Sequence, residues 1–218
     1  MRPKHSIFTR IFHWANVPIL AIMIWSGLLI YWANDVYEIK LFGKVWFHFF
    51  PDSVYAFLHI PFRLAEGMAW HFAVMWLFFL NGLVYFLYTL FSGAWRELTP
   101  NWKSFKEAGW VVLHDLHLTK RIPPQRKFNA AQQIAYTGVI AMGLGSIITG
   151  LAIYKPVQLK FFTFICGGYE WARAEHFILT IGYVLFFIIH IAQVVKTGWN
   201  NFQSMVTGYE KTTKDKVD

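Results

Sequence analysis

The chain has 218 residues, of which 56% are hydrophobic, 20% aromatic and only 15% charged, with a formal net charge of +8. The apolar residues come in long blocks, which excludes an ordinary soluble domain. In a soluble protein the positive charge would point to nucleic acid; here its division among the segments between the blocks points to a membrane instead.

Arg2, Lys4 and Arg10 precede or open the first block with no acid beside them. The segment 92–131 sets seven basic residues, among them Lys120, Arg121, Arg126 and Lys127, against Glu97, Glu107 and Asp115. The segment 34–69 carries three basic residues against four acidic ones. Lys and Arg mark cytoplasmic loops, so both termini and 92–131 are expected in the cytoplasm and 34–69 outside it. The protein is therefore expected in a bacterial inner membrane, among lipid, with no nucleic-acid partner. Cys166 is the only cysteine. It leaves no disulfide, no Cys-x-x-Cys-His for covalent haem and no iron–sulfur motif, so any cluster or molybdenum chemistry belongs on another polypeptide.

Four blocks are long enough to cross a bilayer as helices, at about 12–33, 70–91, 132–154 and 176–195. The expected fold is one all-α membrane domain over residues 1–218, a four-transmembrane-helix bundle with short interfacial helices. Span 1 opens with Arg10-Ile-Phe-His13-Trp14 and carries Ser26-Gly27 deep within it, where a glycine allows a flat ligand or another helix to come close. It is too long for a signal-peptide core and no small-residue cleavage site follows, so it is expected to stay as a span. Residues 34–69 form an outer loop rich in aromatics (Trp46, Phe47, Phe49, Phe50, Tyr55, Phe57). That loop predicts short helices lying on the membrane or packed against a partner. Span 2 begins at Trp70-His71. The stretch Trp102–His114 mixes basic and aromatic residues like an interfacial amphipathic helix, and a basic turn, Lys120–Lys127, follows it. Span 3 holds Gly138, Gly143, Gly145 and Gly150 and ends at Tyr154-Lys155-Pro156. Span 4 runs from His176 to beyond His190. No fixed-period repeat is visible.

His176 and His190 are fourteen positions apart. At 100° per residue they fall about 40° short of four full turns, so they leave one face of the helix about 21 Å apart in rise. Ionisable groups in a span are costly and default to a functional reading. The charge-derived topology sets His71 at the depth of His176, and His13 at the depth of His190. Two histidine pairs at two depths suit two six-coordinate b-type haems in the bundle core, with the four histidines as axial iron ligands. His5, His48, His59, His114 and His117 lack such matching and read as loop histidines. A lone histidine at a helix end is commonly interfacial; the weight here lies in four matched ones.

With these residues in view, the chain resembles the di-haem cytochrome b subunits of membrane-bound formate dehydrogenases (the gamma subunit), [NiFe] hydrogenases and thiosulfate-reductase-type enzymes. The resemblance runs from His13-Trp14 through Ser26-Gly27, His71, Asn129-Ala-Ala-Gln132, Thr149-Gly150 and Tyr154-Lys155-Pro156 to the His176/His190 pair. It implies that His71 and His176 hold an outer haem b, and His13 and His190 an inner one. It also implies that Asn129 and Gln132 help bind a quinone carbonyl, menaquinone or ubiquinone, where the family's Asn-Ala-Gly-Gln has become Asn-Ala-Ala-Gln. Asn129 and Gln132 also have the spacing of a capping box that starts a helix, and the two roles are compatible. Arg173, three residues before His176, suits a haem propionate or the membrane interface equally. The long aromatic outer loop departs from the family.

The expected function is a respiratory electron-transport subunit of a hetero-oligomeric oxidoreductase complex. It would link a quinone near the cytoplasmic face to a periplasmic redox subunit carrying iron–sulfur, molybdopterin, [NiFe] or multihaem centres. No complete substrate active site is expected in this chain. The rival readings are a membrane anchor without electron transfer, and a metal or proton transporter, which would want acidic residues inside the spans.

Overall fold

A computed structural model describes residues 1–33, 37–120 and 128–210. The elements in chain order are β1 (Arg2–Pro3), α1 (Ile7–Tyr31), β2 (Glu38–Leu41), β3 (Lys44–His48), α2 (Asp52–Phe57), α3 (Leu64–Phe91), α4 (Trp95–Leu98), α5 (Trp102–Asp115), α6 (Ala130–Tyr154), α7 (Lys160–Ile165), α8 (Tyr169–Thr197), α9 (Trp199–Thr207) and β4 (Tyr209–Glu210). The four long helices α1, α3, α6 and α8 are each apolar enough to cross a membrane. They expose leucines and isoleucines on outward faces, such as Leu77, Leu185 and Ile189, as helices apolar all round do in lipid. The expected all-α membrane fold with four spans is what is found. The basic turn from Arg121 to Lys127, with Arg126, lies outside the described residues.

The chain groups into two compact units, Ile7–Asn81, and Met1–Ser6 with Gly82–Asp218. In the first, α1 and the Leu64–Asn81 part of α3 run antiparallel. A Cβ built on Gly67 would lie 2.6 Å from Leu29 Cβ and 3.2 Å from the Leu29 carbonyl carbon, so the backbones approach as only glycine permits. Further along, the Asn81 amide donates to Asn16 Oδ1 at 2.9 Å, each satisfying the other inside an apolar pair of helices. The end of α1 wears an aromatic collar. Tyr55 Oη donates to the Leu28 carbonyl, one of the last four that a helix cannot satisfy itself, at 2.9 Å. Phe62 packs on Tyr55 and Trp32, with ring centroids 5.2 and 5.0 Å apart. Burial pushes the Tyr55 phenol up to about 12.

The aromatic loop corrects one expectation. Short helices were predicted in it, and Asp52–Phe57 is one, but Glu38–His48 is a β-hairpin, and the last residues of the segment, from Leu64, already belong to α3. Phe42 and Gly43 turn the hairpin with φ of +50° and +74°, the left-handed pair of a tight two-residue turn. The register shifts between Ile39 and Lys40, which leaves Trp46 as a bulge.

In the second unit α6 and α8 are antiparallel and close. A Cβ on Gly145 would come 3.1 Å from Leu179, and one on Gly182 2.8 Å from the Met142 sulfur. Ala152, Cys166 and Ala172 form a small buried core joining α6, α7 and α8. Burial, with Glu175 beside it, pushes the Cys166 thiol up. The amphipathic helix α5 is present as expected and is latched at both ends. Ser104 Oγ donates to Gln133 Oε1 at 3.2 Å at the start of α6. At its other end, Lys196 Nζ lies 2.9 Å from an Asp115 carboxylate oxygen, and Gln193 donates to the other oxygen at 3.0 Å. Burial alone would raise the Asp115 carboxyl, but these hydrogen bonds and the lysine charge outweigh it and hold it below the usual range. The termini meet where β1 pairs with β4 and Lys4 bridges Glu210 at 2.8 Å. A common end for both termini is what an even number of spans requires.

Replacing Gly67 by Ala is expected to destabilise the protein by about 1–3 kcal/mol through overpacking. Gly82→Ala, where a Cβ meets nothing within 4 Å, should stabilise by about 0.5–1 kcal/mol through helix propensity. Thermal unfolding of the two variants in detergent, followed by loss of the helical circular dichroism signal, checks the contrast.

Candidate functional site

His71 lies near the start of α3 and faces the last third of α1. Ser26 Oγ is 2.9 Å from its Nδ1. The same hydroxyl lies 3.2 Å from the Met23 carbonyl, the i−3 acceptor available to a helical serine. His176 lies near the start of α8 and faces the last third of α6. Thr149 Oγ1 is 2.8 Å from its Nδ1 and 2.8 Å from the Gly145 carbonyl. Ser26 is fully buried and Thr149 is 3% exposed, so water does not compete for either contact.

These contacts favour one tautomer. A hydroxyl has one proton, and a carbonyl can only accept. The contacts of Ser26 and Thr149 are satisfied when each hydroxyl donates to a carbonyl of its own helix and accepts from Nδ1–H of the imidazole. The imidazole then carries its lone pair at Nε2, the atom through which a neutral histidine binds iron.

The two arrangements are copies of one design. Ser26 lies nineteen positions after the first residue of α1, and Thr149 nineteen after the first residue of α6. His71 lies seven positions after the first residue of α3, and His176 seven after that of α8. A glycine follows each hydroxyl: a Cβ on Gly27 would lie 3.9 Å from His71 Cε1, and one on Gly150 3.5 Å from His176 Cε1. The chain thus contains a repeated helical hairpin, which the absence of a fixed period concealed. The connections, 32–63 in one hairpin and 155–168 in the other, differ in length.

His13 and His190 lie at the opposite ends of their helices. His13 is thirteen residues before Ser26 on α1, about 20 Å of rise, and His190 is fourteen after His176 on α8, about 21 Å. Trp14 meets the His13 ring edge-on at 5.2 Å, and Phe186 stacks on His190 at 5.7 Å. Arg173, one turn before His176, pairs with Glu170 at 2.8 Å and sits 5.9 Å from the Tyr169 ring centroid.

Asn129 and Gln132 form the capping box that starts α6. Asn129 Oδ1 accepts from the Gln132 backbone N–H at 2.9 Å, and Gln132 Oε1 accepts from the Asn129 N–H at 3.0 Å. The cap uses both carbonyl oxygens and neither amide NH2 group. Tyr136 follows Gln132 by one turn on the same face and packs edge-on against Phe128 at 5.3 Å. Sequence reasoning missed Tyr136, and it singled out Ser26 and Thr149 only through the glycines beside them. A hydroxyl immediately before each glycine, in two spans, is the signal that was available.

The residues suit haem b. Two imidazoles present Nε2 lone pairs, and beside each ring the neighbouring helix offers bare glycine backbone, the surface a flat macrocycle needs. A sequence profile of the family described as prokaryotic cytochrome b561 matches residues 4–208, a range that includes all four histidines. YedZ1 of Azospira oryzae, which carries the provisional name of a protein-methionine-sulfoxide reductase subunit, is 31% identical over 191 residues, 87% of this chain and 89% of that protein. The expected kinship with cytochrome b membrane subunits is borne out: this multi-pass bacterial membrane protein, with its four long apolar helices, belongs to the prokaryotic cytochrome b561 family.

Proposed function

We propose that the chain is the electron-transfer subunit of a membrane oxidoreductase and binds two haems b. His71 and His176 are the axial ligands at the outer level, His13 and His190 those at the inner level, and both termini are cytoplasmic. The observation that carries this reading is the hydroxyl contact that gives His71 and His176 the same tautomer, with the lone pair at Nε2. Similar separations, from His13 to Ser26 along α1 and from His176 to His190 along α8, support two levels, about 20 Å apart. Haem b, when bound, supplies a one-electron Fe(III)/Fe(II) couple. Ligation by two histidines would fill the iron's coordination and so favour electron transfer over oxygen chemistry. Arg173 is a candidate for a haem propionate at the outer level, where it would exchange its pairing with the exposed Glu170.

The quinone site in this reading lies at the start of α6. The amide NH2 groups of Asn129 and Gln132, spared by the cap, are donors for a quinone carbonyl, and Tyr136 extends that face with a phenol. The provisional name of YedZ1 brings in a partner class: an outer-side oxidoreductase that reduces methionine sulfoxide. Such a partner consumes two electrons and two protons per sulfoxide, which is what one quinol releases. Electrons would then run outward from quinol to partner. A molybdopterin, iron–sulfur, [NiFe] or multihaem dehydrogenase would use the same path inward.

Asn129→Asp and Gln132→Glu separate capping from quinone binding. Each keeps the capping oxygen and removes the amide donor. Both variants should keep wild-type thermal stability and haem content while quinol-driven haem reduction slows at least tenfold; unaltered reduction would remove these residues from the site. The haem reading is checked by a reduced-minus-oxidised spectrum with a pyridine haemochrome count on the purified chain. Two haems b per chain are expected, falling to about one in His176→Ala; a folded chain that takes up no haem leaves the membrane anchor as its role.

A further inference from the structure

The mechanism needs imidazoles as ligands, and the helices facing them do more than make room. Ser26 and Thr149 sit on different helices with different neighbours, yet each hydroxyl lies within hydrogen-bond distance of a histidine Nδ1 and of a carbonyl of its own helix, an arrangement that is satisfied when it accepts from Nδ1–H and donates to the carbonyl. Ser and Thr at mid-span could satisfy themselves by that last bond alone. The further contact, repeated at matching positions in two hairpins, has a consequence for the ligand. An acceptor at Nδ1 draws the ring proton outward, raises the electron density of the ring and makes Nε2 a stronger donor. A stronger donor favours the ferric over the ferrous ion.

We infer that Ser26 and Thr149 are positioning residues that orient His71 and His176 and lower the reduction potential of the haem those two histidines are proposed to hold. The inference rests on the haem ligation proposed above. Because both hydroxyls are buried in an apolar environment, their effect is not diluted by water. It acts on both axial ligands in the same direction. Thr149→Val keeps the shape and removes the acceptor, and Ser26→Ala does the same with the loss of one atom. Thr149→Ser keeps the acceptor.

The test is a redox titration of the haem-loaded, full-length chain in detergent, followed optically. The potential that disappears with one haem in His176→Ala identifies the outer level. Thr149→Val and Ser26→Ala should keep two haems per chain and raise that potential. The expected change is up to a tenfold shift in the ratio of reduced to oxidised haem, which is about 59 mV for one electron. The other potential should stay in place, and Thr149→Ser should titrate like the wild type. A shift in the anisotropy of the outer haem's low-spin ferric resonance should accompany the change. If Thr149→Val sheds its haem, Ser26→Ala decides alone. Two retained haems with both potentials unmoved in Ser26→Ala would overturn the inference while leaving the ligation intact. A wild-type chain without haem, or one whose haem content ignores His71→Ala and His176→Ala, would instead overturn the ligation and the inference with it.

Discussion

A neutral imidazole carries one N–H and one lone pair, and inside hydrocarbon neither can be left to water. That constraint organises both helical hairpins. On each, the first helix supplies a hydroxyl that takes the N–H and a glycine that clears the ring, and the second helix supplies the histidine. The helices must pack at one register and one short distance for this to work. Gly67 against Leu29, and Gly145 against Leu179, provide both. The same close approach that holds the helices together therefore directs the lone pair to Nε2.

Around this design the polar residues outside the spans do different work in the two units. In the first, loop aromatics fold back on the end of α1, and Tyr55 satisfies a carbonyl the helix leaves open. The hairpin beyond them keeps Phe42 94% exposed at its tip. In the second, the connection before α6 is fastened by side-chain bonds to both α6 and α8, from Ser104 to Gln133 and from Asp115 to Lys196 and Gln193.

The spans were legible because uninterrupted apolar runs have few other readings. Their starts were less so. α8 begins at Tyr169 and α3 at Leu64, earlier than the runs, because Glu170, Arg173 and Glu175 in one and Glu66 in the other are polar first turns that still continue the helix. The β-hairpin was hidden by its turn, since Phe-Gly lacks the usual Asn-Gly signal, and by the bulge at Trp46, which breaks the alternation of the strand. The four histidines stood out because the charge-derived topology matched them in depth as two pairs, beyond the cost of any one of them in a span. The hydroxyls did not, because a serine or threonine in a span bonds to its own helix by default. Only the register of α1 on α3, and of α6 on α8, reveals a second bond. The repeat itself escaped notice because connections of unequal length separate matching helices.

In the proposed function, haems held by histidines at two levels carry electrons from one face of the bilayer to the other. The direct measurement uses sealed vesicles containing the haem-loaded chain, with ferricyanide trapped inside and a membrane-impermeant reductant added outside. Reduction of the trapped ferricyanide well above that in protein-free vesicles is expected, abolished by His176→Ala and by His13→Ala alike. Haem-loaded wild-type vesicles that reduce it no faster than protein-free ones would contradict the claim.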